Sequence, residues 1–291
     1  MLLALLACVR LVPEPVLSAA VDIDRGALPA MSLQVFPIST GSLPARMVFA
    51  EGGGPDVPIV SYAVVLNHPT AGVVVIDPGF GQRTVDAPHE APGRATVRTT
   101  GLVMGTPLIA QLTESVDRIL VTHMHIDHAG AIEDFPDAMV QITAAEWEFG
   151  SRRRPIRAVI PAAGQSVRAV EPLTFADGAY GSFDAHSDVL GDGSLIALPT
   201  FGHTPGHTAF LVNLPGGSFL LTGDAAWVDE HLSQPALKGR MARGLIEVDG
   251  EANGEALWRL RALSEAIPGV VILTGHDPDN LTRVQAGRVY R

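Results

Sequence analysis

The feature that most constrains this chain is a group of polar side chains directly after a short apolar run. Segment 122–130 reads Thr-His-Met-His-Ile-Asp-His-Ala-Gly, so three histidines and one aspartate stand close together. The apolar run at residues 118–121 is typical of a buried strand that ends there. Neutral imidazole and carboxylate are ligands that borderline divalent metals prefer. The segment therefore predicts a metal site rather than an ordinary polar loop.

The spacing within this segment predicts room for two ions. His123 and His125 stand two residues apart, so in an extended or tightly turned backbone both side chains can reach one ion. Asp127 and His128 follow directly and can reach a second ion. Three later apolar runs that read as strands are each followed by a segment with possible ligands: residues 200–208 with His203 and His207, residues 223–224 with Asp224, and residues 275–277 with His276. Loops at strand ends commonly carry chemistry on a rigid scaffold.

The His-x-His-x-Asp-His spacing at a strand end resembles the metallo-β-lactamase superfamily, and the resemblance spans roughly residues 33–277. It implies an α/β fold, an αββα sandwich made of two similar halves. It also implies a dinuclear site. The expected ligands are His123, His125 and His203 for one ion, Asp127, His128 and His276 for the other, and Asp224 between them. Zinc is the first expectation for the metal, with iron, manganese and cobalt as alternatives.

The same resemblance implies a hydrolytic mechanism. The two ions would share a metal-bridging hydroxide, available near neutral pH, that attacks a carbonyl carbon. Asp127 would pass a proton to the leaving oxygen, so Asp127 and Asp224 are the expected catalytic residues. Asp77 is expected to support the metal loop from behind, and Asp277 to orient its neighbour His276. His207, four residues after His203, is expected to be packed or supporting rather than a ligand.

Several features favour a lactone or related ester as the small-molecule substrate. A carboxylate at Asp224 resembles the dinuclear hydrolases rather than the true β-lactamases. Three features resemble the quorum-quenching N-acyl homoserine lactonases: the long loop after Asp-Pro-Gly at 77–79, the continuation of the metal motif as Asp-His-Ala-Gly at 127–130, and Gly-His-Asp at 275–277. Those lactonases commonly have a tyrosine three residues after the bridging aspartate, where this chain has Trp227. We expect Trp227 to line the substrate pocket, with a buried core position as the alternative.

Other functions remain open at this point. A thioesterase of the glyoxalase II type is the nearest alternative, although the chain ends soon after His276. An iron-dependent oxidoreductase on the same scaffold, such as a persulfide dioxygenase, would use the same ligands. A non-catalytic metal-binding protein is the last alternative. A formal net charge of -11 argues against a nucleic-acid partner, because phosphate binding relies on Lys and Arg.

Composition and length bound the domain organisation. With 291 residues and 47% hydrophobic content, the chain can bury one large core. We expect an N-terminal arm at residues 1–30 and a single hydrolase domain at 31–291. Cys8 is the single cysteine, so metal binding rests on His and carboxylate. We expect a cytoplasmic protein without stable membrane insertion. An exported or lipid-anchored form through Cys8 is the alternative. A homodimer is possible.

Hydrophobic patterning gives a coarse secondary structure. Strands are expected at 33–39, 60–67, 73–76, 139–142, 195–199, 208–214, 218–222 and 270–274. Short helices are expected at 108–112 and 144–149, and an amphipathic helix at 255–267. Residues 80–105 and 227–244 are expected to be irregular stretches beside the site, and residues 156–180 loops with short strands. An arginine cluster at Arg152, Arg153, Arg154 and Arg157 reads as a solvated loop.

Overall fold

A computed structural model of the protein describes residues 19–90, 94, 97, 100–151 and 167–291. The expectations for Cys8 and for the arginine cluster at 152–157 lie outside these residues. The described strands form two sheets, one of seven strands and one of five.

The first sheet is built mainly from the N-terminal half. Its strands are β1 (Ser32–Leu43), β2 (Val57–His68), β3 (Gly72–Ile76), β4 (Val103–Met104), β5 (Arg118–Leu120), β6 (Met139–Ile142) and β7 (Ala169–Pro172). They lie in the order β4-β1-β2-β3-β5-β6-β7. Strands β1 to β3 pair antiparallel, whereas β3, β5, β6 and β7 run parallel. Parallel strands bring their carboxyl ends to the same edge of a sheet.

The second sheet belongs to the C-terminal half. Its strands are β8 (Ser187–Asp188), β9 (Leu195–Pro199), β10 (Thr208–Leu214), β11 (Gly217–Gly223) and β12 (Val271–Thr274). They lie in the order β12-β11-β10-β9-β8, and only β11 and β12 pair in parallel. Strands β10 and β11 are buried along almost their whole length, as expected for strands covered on both faces.

The helices of the described residues are mostly short. They are α1 (Ala45–Val48), α2 (Gln82–Asp86), α3 (Leu108–Gln111), α4 (Ile126–Ala129), α5 (Ala144–Ser151), α6 (Asp229–Ser233), α7 (Arg240–Leu245), α8 (Gly250–Ala266) and α9 (Asp279–Arg283). The Asp249 carboxylate accepts hydrogen bonds from the N–H groups of Glu251 and Ala252 and so caps α8.

Three apolar clusters show the layering. One cluster lies between the sheets and joins Val64 and Leu120 of the first to Phe210 and Leu221 of the second. A second cluster covers the outer face of the first sheet, and a third packs the apolar side of α8 on the outer face of the second sheet. The arrangement is the predicted αββα sandwich, which is thereby confirmed.

Two expectations for irregular segments were wrong. Residues 227–244 contain α6 and most of α7, which are too short for a periodic pattern to show in the sequence. The described part of residues 80–105 contains α2 and the short edge strand β4. The helix expected at 255–267 is real but begins five residues earlier, after its Asp249 cap.

The part of the N-terminal arm that is described lies against the second half of the chain. The N–H of Ala19 donates to the carbonyl of Gly181 at 3.0 Å. The Arg25 guanidinium donates to the carbonyl of Leu214 at 2.8 Å, and Val21 packs on the cluster beneath α8. Within the described residues, no helix has the length and apolar character needed to cross a membrane.

Candidate metal centre

The first ligand cluster consists of His123, His125, His203 and Asp224. One ligand atom from each lies within 4.8 Å of all the others. Nδ1 of His125 stands 2.9 Å from Nε2 of His123 and 3.0 Å from Nε2 of His203. The first two histidines follow β5, and His203 lies in the turn between β9 and β10. All four residues are buried, so the cluster forms a closed nitrogen-rich pocket.

The second ligand cluster consists of Asp127, His128 and His276. One ligand atom from each again lies within 4.8 Å of the others. Oδ2 of Asp127 stands 3.5 Å from Nε2 of His276 and 4.0 Å from Nε2 of His128. The Asp127 side chain is 18% exposed, whereas both imidazoles are 6% exposed. This cluster therefore opens towards solvent on its aspartate side.

Asp224, directly after β11, stands between the two clusters. Its Oδ2 lies 3.3 Å from Nε2 of His203 and 3.7 Å from Nε2 of His123. Its Oδ1 lies 3.1 Å from Nε2 of His276 and 3.2 Å from Nε2 of His128. Each carboxylate oxygen thus faces one cluster. The structure brings all seven predicted ligands together at one edge of the sandwich.

The donor atoms fit divalent metal ions. Buried polar atoms normally have hydrogen-bond partners. Among the described residues, Nε2 of His128 and Oδ1 of Asp224 are buried without one, although they face each other across the centre. Tightly converging imidazole nitrogens and carboxylate oxygens that lack other partners are the donor set that zinc and similar ions require. The cluster residues could therefore hold metal ions.

Burial sets the protonation of the first cluster. It lowers the pKa values of His123 and His203 well below the ordinary value for histidine. It also lowers the pKa of His125 to about 4, against the opposing effect of the Asp127 and Asp224 carboxylates. These imidazoles are neutral near pH 7. Because only the neutral ring can donate a lone pair to a metal, the pocket is ready to bind one.

Carboxylates set the protonation of the second cluster. Burial alone would lower the pKa of His128, but the charges of Asp224 and Asp77 raise it well above the ordinary value. For His276, the same desolvation is outweighed by Asp224, which raises its pKa. Burial alone would raise the pKa of the Asp224 carboxyl, yet His276 and His128 hold this pKa well below the usual range.

Asp77, at the end of β3, supports both the metal loop and the second cluster. Its Oδ1 accepts from the N–H of Thr122 at 2.7 Å, and its Oδ2 lies 2.7 Å from Nδ1 of His128. The backbone of Asp77 adopts a positive φ of 51°, which is uncommon for a residue with a side chain. This conformation aims the carboxylate back at the loop. Asp77 is thus an anchor for a ligand, not a member of either cluster.

His276 is oriented by the backbone rather than by its sequence neighbour. Its Nδ1 lies 2.8 Å from the carbonyl of Val60, which leaves Nε2 to face the second cluster. The Asp277 carboxylate accepts instead from the N–H groups of Asp229 and Asp279. The expectation that Asp277 orients His276 was wrong, because its side chain closes the following turn.

Glu146, in the first turn of α5, was missed in the sequence. Its carboxylate is fully buried and accepts from the N–H of Met124 at 2.8 Å and of Gly206 at 3.0 Å. The first of these amides lies between His123 and His125, and the second lies in the loop that carries His203. Glu146 therefore joins the two loops of the first cluster. A Cβ at Gly206 would lie 2.0 Å from Oγ1 of Thr143. The hydrogen bond between the Gly206 N–H and Glu146 therefore requires glycine at this position.

His207 lies behind the first cluster. Its Nδ1 is 2.8 Å from Oγ1 of Thr200, and its ring packs against that of His123 with centroids 5.2 Å apart. Burial lowers its pKa to about 3. It belongs to neither ligand cluster of the described residues.

Trp227 approaches Asp224 with the edge of its ring. Its Nε1–H donates to Oδ2 of Asp224 at 2.8 Å. The residue is 3% exposed, and its ring packs in an apolar cluster that includes Val48, Ile59 and Ala242. The expected contact between Trp227 and a substrate stays a prediction.

His68 and His231 are buried outside the two ligand clusters. His68 lies at the end of β2 with its Nε2 2.8 Å from Asp192. His231 lies in α6, where its Nε2–H donates to the carbonyl of Val48 and its Nδ1 accepts from the N–H of Trp227. Both are polar core residues with hydrogen-bond partners. His89 is exposed, and His186 is half-buried.

Known proteins resemble this chain in sequence and in fold. Residues 54–278 match the model of the metallo-beta-lactamase superfamily. The N-acyl homoserine lactonase AttM of Azorhizobium caulinodans is 28% identical over 274 residues, covering 85% of this chain and 94% of the relative. The AttM of Agrobacterium fabrum matches to the same extent. The crystal structure of Bacillus thuringiensis AiiA with N-decanoyl-L-homoserine superimposes with a TM-score of 0.68 at 18% identity, covering 88% of this chain and 96% of that one.

The fold, the two ligand clusters and the family match point to one class. The chain belongs to the metallo-beta-lactamase superfamily, as the sequence predicted. Within it, the protein is a metal-dependent hydrolase, which confirms the predicted enzyme class.

Proposed function

We propose that this protein is a dinuclear lactonase that opens the ring of an N-acyl homoserine lactone or a similar lactone. The observation that carries the proposal is the position of Asp224. Its two oxygens face two separate ligand clusters. Oδ2 lies 3.3 Å from Nε2 of His203 in the first, and Oδ1 lies 3.1 Å from Nε2 of His276 in the second. A carboxylate shared in this way is suited to a pair of ions, with zinc the first expectation.

The residues divide into distinct roles. His123, His125 and His203 would hold one ion, and Asp127, His128 and His276 the other, with Asp224 between them. Bound divalent ions would supply hydroxide near neutral pH and polarise the carbonyl under attack. Asp127 has the most exposed carboxylate of the site, at 18% for its side chain. It is therefore placed to take up the proton of the hydroxyl group that has added to the carbonyl carbon and to pass it to the oxygen that leaves when the ring opens.

The relatives support the choice of substrate. The AttM proteins are named as N-acyl homoserine lactonases and span nearly the whole chain. AiiA, which shares the fold, holds N-decanoyl-L-homoserine at its active site.

Metal analysis combined with a substrate panel tests the proposal. We expect two ions per chain in fully loaded protein by elemental analysis. Among lactones, glutathione thioesters, phosphodiesters and β-lactams, we expect the fastest turnover with a lactone. Ring opening releases acid, which a pH indicator measures. At most one ion per chain would contradict the dinuclear assignment. Faster turnover of a glutathione thioester than of every lactone would assign the protein to the thioesterases instead.

A further inference from the structure

The Asp224 carboxylate can serve both clusters only in one rotational state. Its Oδ2 must face His203 and His123, and its Oδ1 must face His276 and His128. The χ2 torsion of an aspartate is broad, so the torsion itself does not select this state. Gly275 leaves room on the Oδ1 side, where an added Cβ would lie 2.4 Å from that oxygen. Another contact must hold the carboxylate in place.

Trp227 supplies that contact. Its Nε1–H bond to Oδ2 is 2.8 Å long and buried. An indole N–H is a donor only, carries no charge and offers no lone pair to a metal. It can therefore hold a carboxylate that also binds metal, without competing for the ion. A carboxylate oxygen has two lone-pair sites, so Oδ2 can accept this bond and still face the first cluster.

The indole is itself fixed from several sides. The backbone N–H of Trp227 bonds to Nδ1 of His231 at 3.2 Å, and its carbonyl accepts from the N–H of His276 at 2.7 Å. The Lys238 ammonium lies 5.3 Å from the indole ring centroid. That ammonium is itself held by Glu247 at 2.7 Å, and both of these side chains are 1% exposed. A buried cation over an indole face is attracted by the ring and withdraws density from it.

We propose that Trp227 is a positioning residue that holds Asp224 in the orientation shared by both clusters, and that the buried Lys238–Glu247 pair holds Trp227. The proposal deepens the proposed function, because it rests on metal ions occupying both clusters. It also gives the indole a role different from that of a phenol that contacts substrate. Trp227 acts on the metal centre through Asp224.

The sharpest test replaces Trp227 by β-(3-benzothienyl)alanine, in which sulfur takes the place of the N–H and the ring shape is kept. Metal-free protein is titrated with Zn²⁺ and with Co²⁺ against a chelator of known affinity. We expect the more weakly held ion to bind about tenfold less tightly, equivalent to about 1.4 kcal/mol. We also expect kcat on the best lactone to fall while KM stays within about twofold.

Two comparisons make the result decisive. Trp227→Phe should show the same loss of affinity together with a lower melting temperature, because it also leaves space in the apolar cluster. Trp258→Phe, on α8, is the matched control and should bind both ions as the parent protein does. Equal affinities in the benzothienyl variant and the parent, with two ions in each, would overturn the positioning role alone. A parent protein that binds fewer than two ions would instead overturn the proposed function.

Discussion

The two ligand clusters are built from similar residues but on different physical principles. In the first, His123, His125 and His203 are 0–3% exposed, and burial keeps their rings neutral. In the second, the carboxylates of Asp224 and Asp77 raise the pKa of His128, and Asp127 reaches solvent. The first is a closed pocket ready for an ion, whereas the second is richer in charge and more open.

The difference extends to the supports behind each cluster. The first is held by Glu146, whose two oxygens join separate loops. The second is held by Asp77 and by the carbonyl of Val60, each of which contacts a ligand ring directly. If both clusters hold ions as proposed, we expect the ion in the first cluster to be held tightly and the ion in the second to exchange more readily.

Asp224→Ala should have the largest effect, because it removes the one ligand shared by both clusters. We expect kcat on the best lactone to fall about 1,000-fold, equivalent to about 4 kcal/mol in the barrier. We expect the protein to remain folded at room temperature in metal-replete buffer, as judged by circular dichroism. Unfolding under those conditions would make Asp224 a structural residue. Asp279→Ala, at an exposed position, is the control.

His203→Ala should affect the first cluster and leave the second intact. The first cluster loses one of its three imidazoles, so we expect loss of one ion by elemental analysis and most of the activity. His207→Ala removes a buried imidazole of the same size just behind that cluster. We expect this variant to keep both ions and most of the activity while melting at a lower temperature. Metal loss from His207→Ala would place that residue among the ligands.

The contrast between the clusters could be predicted only in part from the sequence. The ligands could be found because each follows an apolar run, and such a run predicts a strand from the local sequence alone. The strands themselves were predicted well for the same reason. Among the supports, Asp77 was expected from the resemblance and does contact the metal loop and His128, whereas Glu146 was not found in the sequence. Thr143 and Glu146 match a helix capping box, which predicts a side chain that turns back on its own helix.

Tertiary packing decides these positions instead. The N–H of Glu146 does bond to Oγ1 of Thr143 at 3.2 Å, but its carboxylate leaves the helix for two distant loops. Lys238 and Glu247 form a buried ion pair beside Trp227, although neither residue stood out in the sequence. Charged residues are rarely fully buried unless they are paired. The two members of this pair lie in stretches of the sequence without a periodic apolar pattern, so the pairing could not be predicted.

Glu146→Gln should weaken the first cluster selectively. An amide has only one oxygen, so its NH₂ group would face one of the two backbone N–H groups that the carboxylate now accepts from. We expect about tenfold weaker binding of the more tightly held ion in chelator competition, with the other ion little changed. Glu148→Gln, an exposed neighbour on the same helix, should bind both ions normally. Equal loss from both clusters would argue against a support specific to the first.

The same carboxyl should also leave a smaller signature in the pH dependence of stability. Burial raises the pKa of Glu146 from 4.5 to about 7, against the hydrogen bonds that favour its ionised form. The folded state therefore holds this proton more strongly than the unfolded state does. Its contribution to stability is fully present below pH 4.5 and is lost as the pH rises through about 7. Glutamine does not titrate and lacks this dependence.

Urea unfolding of metal-free protein at several pH values between 5 and 8 measures the effect. The stability of the parent minus that of Glu146→Gln should fall by about 1 kcal/mol per pH unit until the pH reaches the folded pKa, and then level off. Subtracting the variant removes the titration of the cluster histidines, which both proteins share. A difference that does not change with pH would mean that Glu146 is already ionised in the folded protein. The carboxylate would then support the first cluster as a permanent charge.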